Sequence, residues 1–135
     1  MDVLIFIVSG TLAAATALIF AAMGELVAEK SGVLNLGIEG MMATGAAMGF
    51  VALSVSGSYT VGFLAAAILG CVLSLVHAVL TLVFRADQVA SGLAIGILGL
   101  GLSSAIGKQY EGKAVAGLPE LDLGPLSDIP VVGEM

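Results

Sequence analysis

The segment 61–84 runs without a single Asp, Glu, Lys or Arg, and as a helix it is long enough to cross the hydrocarbon core of a bilayer with some tilt. Three more apolar blocks, 3–23, 34–55 and 89–107, surround it. They are continuous runs rather than periodic stripes, so they do not describe the half-buried faces of a water-soluble domain. With 59% hydrophobic and 10% charged residues, the chain is too apolar for such a domain in any case. The fold this predicts is all-α: a polytopic transmembrane helical bundle of about four spans within 1–108. An irregular, acidic tail over 109–135 follows it. Some helices should be short or broken, the Gly-rich fourth above all. The first block is read as a span and not as a cleaved signal peptide, because its only early charge is Asp2 and no basic region precedes it.

The intervening segments are short. A polar break is expected at 24–30, with Glu25, Glu29 and Lys30; an uncharged turn at 56–60; and a tight polar turn at Arg85, Asp87 and Gln88. All three Pro fall in the tail. Four spans return the chain to its starting side, but Lys30 and Arg85 on one side balance Lys108 and Lys113 on the other, so basic residues do not orient it. A net charge of −6 excludes the basic face that nucleic acid requires. Cys71 lies inside an apolar block and reads as a buried, inert thiol. The 19 Gly suit close helix contact in lipid.

One polar feature interrupts the second block. In 31–40, SGVLNLGIEG, Asn35 and Glu39 stand four apart and on a helix would share a face. A carboxylate at membrane depth costs at least about 2.5 kcal/mol, and such groups face partners or a water-filled path. Asn35 and Glu39 are therefore the candidates for a substrate pathway; the alternative is that Glu39 snorkels to the interface. Gly45 with Gly49, and Gly92 with Gly96, are candidates for helix packing. His77 has no Cys, Asp or Glu at ligand spacing, so no metal site is expected, and a packed or hydrogen-bonded imidazole is the better reading. Glu25 and Glu29 read as a solvated helix end. Gly107, Gly112 and Lys113 imitate the start of a phosphate-cradling loop, but Ala114 lacks the hydroxyl for magnesium and Glu111 would repel phosphate. Neither a cofactor nor a catalytic triad is indicated.

The stretch GELVAEKSGVLNLGIEGMMATGA, 24–46, resembles the signature region of bacterial ABC-importer permeases of the branched-chain amino acid and simple-sugar superfamily. Its NLGIEG core is most similar to the nucleoside type. RADQVASGLAIGILGLGLSSAIG, 85–107, resembles the segment that those permeases carry after their next span, and LPELDLGPLSDIPVVGE resembles their following loop. The family often has Asn where Asp87 and Gly96 stand, which bears on the solute more than on the fold. Because such permeases continue with further spans and a cytoplasmic coupling segment, the chain looks like the N-terminal part of one.

The resemblance implies a multi-pass subunit of the bacterial plasma membrane, with no bond chemistry of its own. The implied partners are ABC ATPase subunits, a second permease subunit, an extracytoplasmic solute-binding lipoprotein and the lipid bilayer. Family topology implies that 24–30 and 85–88 are cytoplasmic and the acidic tail extracytoplasmic. Alternatives are a simple-sugar (ribose-like) importer permease and a small membrane interaction protein that does not transport. A membrane enzyme would need a cluster of His, Asp or Glu at one depth, which the sequence does not offer.

Overall fold

A computed structural model of the chain describes residues 2–115 and 117, which form helices and turns with no strand among them. Of the tail expected over 109–135, only 109–115 and 117 are described. The described residues divide at Gly24 into two compact units, and the larger, Glu25–Ala116, holds everything that bears on the site.

The first helix, α1, runs Asp2–Lys30 without interruption. Its hydroxyls are satisfied within the helix: Ser9 donates to Ile5 O at 2.9 Å, Thr11 to Ile7 O at 2.7 Å and Thr16 to Leu12 O at 2.9 Å. The polar break expected at 24–30 is helix instead. Glu25, Leu26, Ala28, Glu29 and Lys30 are good or acceptable helix formers, and charge alone does not end a helix. The end comes where Gly32 takes φ +83°. Its N–H donates to Glu29 O at 2.9 Å while Val33 N–H donates to Ala28 O at 3.0 Å, the paired closure of a Schellman motif.

Residues 33–37 are not helical, and α2 covers Ile38–Ser56, starting later than the expected 34. It stops at Gly57, left-handed at φ +67°, whose N–H returns to Leu53 O at 2.8 Å. Helix α3, Tyr59–Ala78, follows at once and passes into a π turn, Val79–Val83. There Thr81 Oγ1 donates to His77 O at 2.9 Å, and Phe84 N–H reaches Val79 O at 3.1 Å. The polar turn then reverses the chain through Arg85 at φ +52°. Helix α4, Gln88–Gly107, is capped by Asp87, whose Oδ1 accepts from Ala90 N–H at 2.8 Å. Asn caps about as well as Asp, so Asp87 in place of the family's frequent Asn preserves the helix start. A single 3₁₀ turn, Lys108–Tyr110, closes the described helices.

Within the larger unit α2 packs along both α3 and α4, antiparallel to the first and parallel to the second. The burial pattern is inverted relative to a soluble protein. Among the described residues only Met41, Leu73 and Ile95 are buried large apolar side chains, whereas Asn35, Thr44, His77, Thr81 and Ser91 are buried polar ones. Phe63, Ile68 and Ile97 face outward, each more than 60% exposed. Lipid is as apolar as Leu, so helices in a bilayer associate through close contact and hydrogen bonds rather than by hiding apolar surface. Four helices are long and apolar enough to span it. The chain is a multi-pass, all-α membrane protein.

Candidate functional site

A buried backbone N–H or C=O outside a helix needs a partner, since leaving it unpaired costs about as much as a lost hydrogen bond. The break at 33–37 meets that requirement with side chains drawn from three helices. Leu34 N–H donates to Gln88 Oε1 at 2.7 Å, and Gln88 Nε2 donates back to Gly32 O at 3.2 Å. The next peptide is held through both of its polar atoms: His77 Nε2 lies 3.2 Å from Leu34 O, and Asn35 N–H donates to Glu25 Oε1 at 2.8 Å. A carbonyl can only accept, so in this contact His77 carries its proton on Nε2. Asn35 Oδ1 then accepts from Gly37 N–H at 3.0 Å, and its amide nitrogen lies 3.5 Å from Met41 Sδ. Each of Glu25 and His77 uses one polar atom here. Glu25 Oε2 and His77 Nδ1 are buried with no hydrogen-bond partner among the described residues.

This arrangement revises the expected placement of three residues. Asn35 and Glu39 do not share a helical face: Asn35 is buried in the break, and Glu39 is exposed on the first turn of α2. There the carboxylate lies at the positive end of the helix dipole. Glu25 is not a solvated helix end, because its carboxylate caps the backbone of the break. His77 is a hydrogen-bonded, buried imidazole on α3.

Behind the break, α2 and α4 meet along a seam of glycines. A methyl added at Gly37 would lie 2.7 Å from Gly92 O, and one at Gly92 2.7 Å from Leu36 N. At Gly40 it would run into the Gly96 backbone, with Gly96 Cα at 2.7 Å; at Gly99 it would run into the Gly40 backbone, with Gly40 Cα again at 2.7 Å. Thr44, fully buried, crosses the seam: its hydroxyl is shared between Gly40 O at 2.6 Å and Gly99 O at 2.8 Å. Gly45 and Gly49 face α3 instead, where an added methyl would stand 3.3 Å from Ala66 O and 3.2 Å from Gly62 O respectively. Gly96 itself has room, its nearest such contact being 3.7 Å. Spacing in fours drew attention to Gly92 and Gly96; the spacing of Gly92, Gly96 and Gly99 at i, i+4 and i+7 on one face was the fuller signal. Gln88 and Glu25 carried no comparable sign, since each bonds to non-helical backbone and not to a side chain at helical spacing.

The chain matches the family described as branched-chain amino acid transport system / permease component over residues 7–120. Across 95% of its length it is 39% identical to a protein named "Putative glucose ABC transporter permease protein TsgC13" from Haloferax volcanii, of which it covers 40%. Over its whole length it is 38% identical to the guanosine ABC transporter permease protein NupQ of Bacillus subtilis. It is 31% identical to the nucleoside ABC transporter permease protein NupC of Lactococcus lactis. It covers 46% of each of these two, so the chain spans less than half the length of these curated relatives. No solved structure matches it.

Proposed function

We propose that this chain, which belongs to the family of branched-chain amino acid transport system permease components, supplies helices of the solute path to an ABC importer for nucleosides. The observation that carries the reading is the non-helical segment 33–37 at the start of a span, with Asn35 buried in it and Glu39 opening α2. The start of a helix offers a polar solute free N–H groups and a positive dipole, while the non-helical backbone before it offers carbonyls. A permease component makes and breaks no bonds; it stabilises inward-open and outward-open states differentially. Its partners would be ABC ATPase subunits, a second permease subunit and an extracytoplasmic solute-binding lipoprotein, in the plasma membrane of a bacterium. The names of NupQ and NupC favour a nucleoside, whereas the 39% identity to TsgC13 favours a sugar as the second reading.

Uptake tests both. A full-length permease carrying this segment, assembled with its transporter partners, is expected to import guanosine and not glucose. Glu39→Ala should lower that uptake about tenfold, equivalent to about 1.4 kcal/mol, while the protein still inserts. Glu39→Gln should be milder if hydrogen bonding rather than charge is the role. Glu29→Ala, on the exposed last turn of α1, is the control; Glu25→Ala cannot serve, because it would uncap Asn35 N–H. Near-normal uptake in both Glu39 variants would remove that carboxylate from the path, and glucose import without guanosine import would favour the sugar reading.

The orientation we propose puts the break on the cytoplasmic side and the α2–α3 turn outside. In a Cys71→Ser background, an impermeant thiol reagent added to intact cells should label a cysteine at Ser58 and spare one at Ser31. The reverse pattern would invert the topology.

A further inference from the structure

We infer that Glu25, His77 and Gln88 are positioning residues that latch the break, fixing the Leu34–Asn35 peptide and with it Asn35 and the start of α2. The inference rests on the reading of this segment as part of the solute path. Three helices converge on two consecutive residues: α1 through Glu25, α3 through His77 and α4 through Gln88. The peptide between Leu34 and Asn35 is gripped from both sides, by a donor at its oxygen and an acceptor at its nitrogen. The preceding N–H is taken by the same Gln88 side chain that donates to Gly32 O. No backbone hydrogen bond of α2 depends on these three residues, so their hydrogen bonds act on the break and not on the helix.

The latch works by hydrogen bonding. Each group contributes one atom of fixed role, acceptor from Glu25 and donor from His77. A neutral amide can supply either. Glu25→Gln keeps an acceptor for Asn35 N–H, and His77→Gln keeps a donor for Leu34 O. Asn35 then passes the constraint on, because its Oδ1 holds Gly37 N–H at the entry to α2.

The test uses the full-length permease with its transporter partners and reads two quantities. In the purified protein, amide hydrogen exchange over 33–37 should accelerate at least tenfold in Glu25→Ala, His77→Ala and Gln88→Ala, and stay within about twofold of the parent in Glu25→Gln and His77→Gln. In membranes, the alanine variants and Asn35→Ala should lower the maximal rate of guanosine uptake about tenfold, with the glutamine variants restoring it and leaving its pH profile unchanged. Unchanged exchange in the alanine variants would overturn the latch. Glutamine variants as impaired as alanine, or a pH profile altered by His77→Gln, would overturn the hydrogen-bonding role in favour of titration. Should an alanine variant fail to fold, the two glutamine variants still decide between these. Normal uptake in Asn35→Ala would instead refute the pathway reading, and the exchange data would judge the latch separately.

Discussion

Gly40→Ala and Gly99→Ala are each expected to destabilise the helical unit by about 3 kcal/mol, the upper range for overpacking a tight interior. The added methyl in either case meets the backbone of the facing helix, not the tip of a side chain. Backbone cannot rotate aside, so α2 and α4 must separate along the whole seam. Separation would also pull Thr44 from Gly99 O, losing the hydrogen bond that joins the two helices. Two controls share the same helix. Gly101 has nothing within 4 Å of an added methyl and Gly96 has only ordinary contact at 3.7 Å, so Gly101→Ala and Gly96→Ala should be neutral or slightly stabilising through better helix propensity. Thermal unfolding of purified protein in detergent provides the comparison. Equal melting temperatures for all four variants would mean that the close approach of α2 and α4 does not exist in the folded protein.

Asn35→Asp is expected to be more damaging than Asn35→Ala, although it preserves size and the acceptor for Gly37 N–H. Asn35 is only 9% exposed, and its own N–H lies 2.8 Å from the Glu25 carboxylate. An aspartate would therefore bury a carboxylate on a residue whose own N–H already bonds the half-buried Glu25 carboxylate, with no cation bonded to either group among the described interactions. An uncompensated charge left buried costs about 3–5 kcal/mol, against about 1–3 kcal/mol for leaving Gly37 N–H unsatisfied in the alanine variant. The diagnostic is coupling. In a double-mutant cycle, Glu25→Gln should rescue most of the loss from Asn35→Asp while doing little for Asn35→Ala. Additive losses would show that the two side chains do not meet through the break.

The break illustrates how far residue order leads in this protein. Gly32 and Gly37 flank it and Asn35 stands inside it, so a polar interruption is visible in the sequence, but the charges place it too early, at 24–30, where α1 is still helical. Charge by itself is a poor stop signal, since Glu25, Glu29 and Lys30 continue a helix readily, and the stop comes from left-handed Gly32. Helical spacing likewise suggested that Asn35 and Glu39 act together. Once Asn35 falls outside the helix, that periodicity no longer applies to it.

Length and apolarity of the four blocks determined the membrane-spanning, all-helical class by themselves, because no other backbone arrangement of such sequence satisfies its own hydrogen bonds in lipid. The motifs at 24–46 and 85–107 carried the family. Tertiary structure alone decided which glycines matter and which polar residues hold the break. Both are mostly properties of contact between segments about 40 to 60 residues apart, as in Gly40 against Gly96 and Gly99 or Leu34 against His77 and Gln88. A glycine matters where another backbone lies against it, and a buried histidine or a half-buried glutamine or glutamate matters where a carbonyl or N–H has no neighbour in its own helix to turn to.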